Sequence, residues 1–425
     1  MATIKNYSLF SRKPKVFYGY WIVVVAFFCV FINSGCGFYA FSLFVKPLQA
    51  DFGWGRGGIM VALTILFLVM GAAALPIGRV VDRYGAGKVM ASGAFIAGLG
   101  FVLLSLVHTL WHFYGGYVIV GVGMAAAGMV PATAVVSNWF KKRRGTAIGM
   151  MSSGIGAGGL ALAPLIGGYL IPNFGWRASY LVLAVLTWVL VIPLALLVIK
   201  TKPADMGLYP DGRQAPEAEA VPEASLSATG GLTLKMALAT SGFWLIAATF
   251  LANGFSQVGI LQTLVPHLED IGFPAAMAAG VLGGIGLWSL IGKFGFGWLC
   301  DRIPAKYACA IGLGLQVVGT IILLSVRPAL PRAIMWLYVV VMGLGVGGWL
   351  PTMSMLTSTN FGLAAYGAIF GAINFVQSAG AATGPLMAGY MYDIIGNYHL
   401  AFIIFLVLFV VAIPIILAMR HPKSS

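Results

Sequence analysis

The sequence predicts an all-α membrane protein of twelve transmembrane helices in two six-helix bundles. Three observations predict it. Of 425 residues, 60% are hydrophobic and 8% charged, with a mean hydropathy of +0.96, a composition that belongs in lipid. Twelve apolar runs are long enough to cross a hydrocarbon core ~30 Å thick. The first six runs recur in the last six at a nearly constant offset.

In chain order the runs cover roughly 17–45, 58–78, 88–107, 111–138, 145–171, 177–199, 240–266, 275–299, 306–326, 333–357, 363–389 and 398–419. Lipid offers no partner to an unpaired backbone N–H or C=O, so each run is read as a helix. The short alternating segments of a barrel are absent from the sequence. The basic N-terminal segment is followed by about thirty apolar residues without a cleavage site, so it opens the first helix and is not a removable signal. Cys29, Cys36, Cys300 and Cys309 form no CxxC pair. Cys29 and Cys36 lie two turns apart on one helix, about 10 Å, too far to bridge. Neither a disulfide, a metal nor a cofactor is expected.

The net charge of +14 suggests nucleic acid, but its distribution argues against that partner. With the N-terminus inside, the inner segments hold nineteen Lys and Arg, and the outer loops hold five: Lys46, Arg56, Arg177, Arg327 and Arg332. This bias places both termini in the cytoplasm. The run Lys141-Lys142-Arg143-Arg144 reads as a topology anchor at a lipid surface.

Four landmarks carry the repeat. Asp82-Arg83 recurs as Asp301-Arg302, Pro131 as Pro351, Pro164 as Pro385, and Asp51-Phe52-Gly53 as Asp270-Ile271-Gly272, at offsets of 219 to 221. A parallel repeat of six helices gives two bundles related by an axis along the membrane normal, rocking about a central site. The polar stretch from Thr201 to Leu234 reads as a cytoplasmic linker. The expected division is 1–200 for the first bundle, 201–238 for the linker and 239–425 for the second bundle.

Lys293 is the most informative residue. It lies eight residues from Asp301 inside an apolar run, so roughly 12 Å deep. A cation there costs about 2.5–3.5 kcal/mol on insertion scales. All eleven Asp and Glu fall in loops or at helix ends, which leaves an incoming anion as the natural counter-ion. The alternative is a lysine that snorkels to the interface. Lys293 maps back onto Ala73 or Ala74, and Asn374 onto Ser153. The charge is therefore unique to the second half, which is expected to hold the anionic group while the first half closes over the rest. Asn33 and Asn253 differ by 220 and are expected as partners across the pseudo-two-fold axis. Asn253 with Gln257, and Asn374 with Gln377, share helix faces, either lining the cavity or bonding between helices. Tyr117 and Tyr338, near outer helix ends, read equally as ligand contacts or as an interfacial aromatic belt.

Other patterns are weaker. Gly121-Val122-Gly123 lies in an apolar span and is no dinucleotide loop, and Gly292-Lys293-Phe294 lacks the spacing of a P-loop. Gly154/Gly158 and Gly367/Gly371 read as sites of close helix contact.

Gly78-Arg79-Val80-Val81-Asp82-Arg83-Tyr84-Gly85 lies between spans two and three, with a degenerate echo in Gly297-Trp298-Leu299-Cys300-Asp301-Arg302. It resembles the loop signature of the major facilitator superfamily. The resemblance implies a conformational role for Gly78, Asp82, Arg83, Gly85, Asp301 and Arg302. Trp139-Phe140-Lys141-Lys142-Arg143-Arg144-Gly145-Thr146, Ala163-Pro164-Leu165, Phe174-Gly175-Trp176-Arg177-Ala178-Ser179-Tyr180, and Pro203-Ala204-Asp205-Met206-Gly207-Leu208-Tyr209-Pro210 are similar to the monocarboxylate transporters and their bacterial relatives, including the oxalate/formate exchangers.

That resemblance implies a cation at the Lys293 position, where the family usually carries Arg. The animal transporters' acid one turn earlier is Ser289 here, and their outer lysine in the first span falls in Cys36-Gly37-Phe38-Tyr39, which has no charge. The oxalate exchanger's second cation corresponds to Asn374. One buried cation suits one carboxylate, which favours a monocarboxylate of the lactate or pyruvate type.

The chain is thus expected to be a transporter and not an enzyme, working as a monomer in the cytoplasmic membrane. Its expected passengers are a small organic anion and a proton. Lys293 is the candidate proton carrier, since lysine shifts its proton affinity readily when buried. Carboxylate exchange of the oxalate/formate type and a non-transporting sensor with a transporter fold are the rival expectations.

Overall fold

The computed structural model describes residues 17–140, 144–212, 231–329, 331–362 and 365–419; the side chains of Leu75, Asp82 and Arg144 also lie outside the described residues. Within them the backbone makes twelve helical passes. The only β-type pairing among the described residues is an isolated bridge from Gly231 to Gly362.

We number the passes α1 (Tyr18–Phe52), α2 (Arg56–Tyr84), α3 (Ala86–Ser105) and α4 (Leu110–Trp139), then α5 (144–174) and α6 (176–198). The second set is α7 (Ser241–Asp270), α8 (Ala275–Cys300), α9 (Ala305–Ser325), α10 (Arg332–Phe361), α11 (Tyr366–Ile395) and α12 (His399–Leu417). Ten helical stretches are apolar and long enough to span. One of these, Gly145–Val198, contains both α5 and α6; the chain turns between them at Gly175, whose φ of +77° suits glycine. The twelfth pass is α11, long enough to span but outside the ten most apolar stretches.

The twelve runs read from the sequence correspond to these passes. The largest boundary difference is α1, which continues seven residues past the apolar run, through Pro47, to a left-handed C-cap at Gly53. Three stretches widen to π-helix: Ser34–Tyr39, Pro164–Leu170 and Thr187–Val191. Such bulges expose carbonyls that an α-helix would use internally.

The first six helices pack together, with α3 on α4 and α6, and α4 on α2. In the second six, α7 lies on α11 and α12, and α10 on α8 and α9. The two sets meet along α5–α8, α2–α11 and α1–α7. Small residues permit the α5–α8 approach: a methyl on Gly156 would sit 2.5 Å from the Gly286 carbonyl oxygen. On the α2–α11 seam, Thr64 donates to the Ala382 carbonyl at 2.6 Å.

These contacts end part-way along the helices. Added methyls at Gly71 and Gly78 on α2, Gly145 and Gly149 on α5, Gly295 and Gly297 on α8, or Gly367 and Gly371 on α11 would meet nothing within 4 Å. The bundles therefore touch at the end opposite the chain termini and separate toward the termini, leaving a cleft. This corrects one expectation: Gly154 and Gly158 do pack closely, on the Phe27 and Phe31 carbonyls of α1, whereas Gly367 and Gly371 face open space.

Candidate functional site

Lys293 lies on the stripe of α8 that faces α5. Gly283 and Gly286 of that stripe abut Pro164, Leu160 and Gly156 of α5. Lys293 is two turns beyond Gly286, where the two helices diverge. It is half-buried, and its Nζ donates to the Ser152 carbonyl at 3.4 Å. Ser152 ends the first helical piece of α5, and Ser153 is a turn residue before α5 resumes at Gly154. The ammonium thus spans the cleft to a carbonyl at a helix break. It forms no salt bridge among the described residues. An ammonium has three N–H donors, and one long bond to a neutral oxygen leaves most of that capacity unused.

Lys293, Ser152 and Asn374 share a level. Each lies seven or eight residues from the terminus-side end of its helix, about 12 Å in. Asn374 is half-buried on α11 and makes no side-chain hydrogen bond among the described residues; its carbonyl accepts from Ser378 Oγ. One turn beyond Lys293 toward the closed end, the Ser289 hydroxyl is in hydrogen-bonding contact with the Tyr39 hydroxyl of α1. Tyr39 ends the π-helical segment, which turns its ring onto Gly159 of α5. Tyr39 was not singled out in the sequence; its signal was position, since the chargeless stretch 36–39 aligns with the outer lysine of the animal transporters.

The other expected polar residues are not brought to Lys293. Asn33 donates to the Met124 carbonyl of α4 at 2.9 Å, inside the first bundle. Asn253 is 2% exposed and its amide reaches Gln316 of α9 at 3.4 Å, inside the second. The two occupy equivalent repeat positions, but each turns its amide N–H into its own bundle, and the buried Asn253 Oδ1 has no hydrogen-bond partner among the described residues. Gln257 is buried and its Oε1 has no hydrogen-bond partner among the described residues, and Gln377 packs its backbone on Gly254 of α7. Tyr117 and Tyr338 form neither a membrane belt nor a cleft wall. Tyr117 is 2% exposed, its hydroxyl 3.2 Å from that of Tyr180 and its ring on Phe41 and Phe113; Tyr338 is fully buried. Aromatic packing within the first bundle holds Tyr117, and the buried Tyr338 hydroxyl has no hydrogen-bond partner among the described residues.

The signature residues lie at the terminus-side ends. Gly85, at φ +86°, ends α2 and starts α3, and the Thr201 hydroxyl accepts from Ala86 N–H there at 2.8 Å. Arg83 covers the Tyr84 ring and Arg302 the Trp298 ring. Asp301 is exposed and makes no ion pair among the described residues, and Gly78 faces open space. The Asp82 side chain lies outside the described residues.

At the opposite end the sequence reading missed a network. Arg56, counted there as an outer-loop charge, is 1% exposed. Its guanidinium forks onto Asp270 at 2.6 and 2.9 Å, and also bonds Gln49 Oε1 and the Tyr398 hydroxyl. Tyr392 lies under it at 3.7 Å. Lys46 adds a second cation to Asp270 at 3.0 Å. The Asp393 carboxylate of α11 accepts from the N–H groups of Arg56 and Gly57, both at 2.7 Å. It thereby caps the first turn of α2 from the other bundle, where a carboxylate is favoured. A methyl on Gly55 would meet that carboxylate at 2.7 Å. Every one of these bonds except that to Gln49 joins the first bundle to the second. The run Gly55-Arg56-Gly57-Gly58, one charge among glycines, was the available signal.

Among the described residues no His, Cys, Asp and Glu cluster could hold a metal. The family model of the Major Facilitator Superfamily matches residues 23–385. Among curated relatives, human monocarboxylate transporter 11 is 30% identical over 80% of this chain and 70% of its own length. Rat monocarboxylate transporter 13 is 26% identical over 93% and 87%, and the uncharacterized MFS-type transporter YcxA of Bacillus subtilis 23% over 89% and 90%. A crystal structure of a bacterial homolog of the human lysosomal transporter Spinster, inward-facing and unoccupied, superposes with a TM-score of 0.73 at 16% identity, covering 96% of this chain and 97% of that one. With two six-helix bundles meeting at one end of a cleft, this chain belongs to the Major Facilitator Superfamily, as a multi-pass membrane transporter and not an enzyme.

Proposed function

We propose that this protein carries a small monocarboxylate of the lactate or pyruvate type by alternating access, in symport with a proton. The observation that carries the reading is Lys293: an ammonium about 12 Å inside the cleft, with one neutral carbonyl partner at 3.4 Å. A carboxylate offers it a partner of opposite full charge and a shorter, charge-assisted bond in place of a long one to a neutral oxygen. The anion takes Lys293 from Ser152, and Asn374, at the same depth, holds the hydroxyl or keto oxygen. The kinship with proteins named monocarboxylate transporters supports the same substrate class. A single cation on one bundle suits a single carboxylate.

Lysine rather than arginine at this position suits proton coupling, because an amine releases its proton where a guanidinium does not. Loading a proton and an anion together amounts to moving the neutral acid, which avoids carrying net charge through lipid. Positive charge at the terminus-side loops supports cytoplasmic termini; in this reading the closed end faces outward and the cleft is open to the cell interior. We place the protein in the cytoplasmic membrane, acting as a monomer.

Uptake of C1–C4 acids into proteoliposomes at two pH values tests the reading. The expected result is saturable uptake of a three-carbon monocarboxylate driven by an imposed pH gradient, and little uptake of oxalate. Uptake that requires a counter-substrate inside and ignores the gradient would replace symport with exchange. In the Lys293→Arg variant, binding is expected to persist while the pH dependence weakens; an unaltered pH dependence rejects Lys293 as proton carrier.

A further inference from the structure

His267 lies on α7 one turn inside the Arg56–Asp270 network and is 3% exposed. Its Nε2 is buried and has no hydrogen-bond partner among the described residues. The imidazole stands edge-on to Phe402 at 4.9 Å, His399 at 6.0 Å and Tyr398 at 6.1 Å. Tyr398 is the residue whose hydroxyl accepts from Arg56 at 3.0 Å. The ring therefore packs against the group through which the first bundle grips the second.

We propose that His267 is a proton-binding site whose protonation releases this grip and opens the face opposite the chain termini. Its burial and the groups around it decide the sign. The ring is packed on aromatic rings away from water, and Arg56 on α2, Arg327 before α10, His399 on α12 and Asp270 on its own helix are the charged and titratable groups about it. Glu269 on α7, Lys46 on α1 and Asp393 on α11 are the other charged groups of the adjoining Arg56–Asp270 network. Asp270 is already shared between Arg56 and Lys46, Glu269 lies 3.7 Å from Lys46, and Asp393 is committed to the N–H groups of α2. A second imidazole N–H thus finds no free carboxylate, and an unpaired buried cation is costly.

The closed face accordingly holds neutral His267. Opening withdraws Arg56 and admits water, and a hydrated imidazole protonates near pH 6.5. The open form then binds one more proton than the closed form. By linkage, lowering the pH on this face favours opening, with the effect concentrated below about 6.5. Acid outside would thereby present the loading conformation. This holds whichever ligand Lys293 takes.

Spin labels at Trp111→Cys and Ile394→Cys, which are 81% and 84% exposed on this face in different bundles, report the opening in nanodiscs, with the four native cysteines replaced by alanine. The expected result is a rise in the long-distance population of about fivefold between pH 8 and pH 5, lost in His267→Gln and in His267→Asn and retained in His399→Gln. A pH-independent distribution in the unsubstituted histidine background overturns the proposal, even if both His267 variants fail to fold. So does a pH response that survives in either variant.

Discussion

The two ends of the cleft are built in opposite ways. At the end opposite the termini, charge is matched across the bundles: Arg56 forks onto Asp270, Lys46 joins it, and Asp393 caps α2. At the terminus end, Lys293, which faces the other bundle, has a carbonyl and, among the described residues, no carboxylate. The closed end supplies its own counter-ions, whereas Lys293 has none among the described residues and is suited to take one from solution. A transporter that must let go of one face while gripping the other needs this asymmetry, since ion pairs that match on both sides would lock it.

The comparison can be broken most forcefully at the open end. Lys293→Ala removes a charge-assisted bond worth about 1.5–3 kcal/mol and is expected to weaken monocarboxylate binding about 10- to 100-fold, read as the concentration dependence of uptake. Next in size is Gly286→Val. Its methyls enter a seam where even one would lie 2.6 Å from the Gly156 carbonyl oxygen, so stability is expected to fall by about 1–3 kcal/mol, seen as a lower melting temperature in detergent.

Smaller effects sharpen the closed end. Asp393→Asn keeps the shape but loses the charge on the α2 cap, about 1 kcal/mol, and is expected to raise the open-face population about fivefold in the spin-label measurement. Lys46→Ala removes a pair whose lysine side chain is 31% exposed, and solvent screening limits its effect to about 0.5 kcal/mol. A larger effect from Lys46 than from Asp393 would show that the face is held by long-range charge and not by the capped helix.

Most of the fold was legible because lipid makes it a local matter: twelve apolar runs had to become helices, and the repeated Asp, Arg and Pro landmarks fixed the pairing of halves. The depth of Lys293 followed from counting along one helix. What was not legible was which way a side chain turns and what meets it across the bundles. Asp51 and Asp270 occupy equivalent repeat positions, yet Asp51 pairs within its own half with Trp176 and Arg177, while Asp270 reaches Arg56 in the other. Nothing local to either aspartate encodes that difference. Asn33, Asn253, Tyr117 and Tyr338 show the same limit, since spacing along a helix does not say whether a polar side chain turns into its own bundle or into the cleft.

The central claim is that the Lys293 ammonium receives the substrate's carboxylate, and counterflow of labelled lactate in proteoliposomes addresses it directly. Wild type and Lys293→Met, which keeps the length and removes the charge, would be reconstituted at matched density. The account predicts robust counterflow for wild type and background counterflow for Lys293→Met; equal counterflow in the two proteins would contradict it.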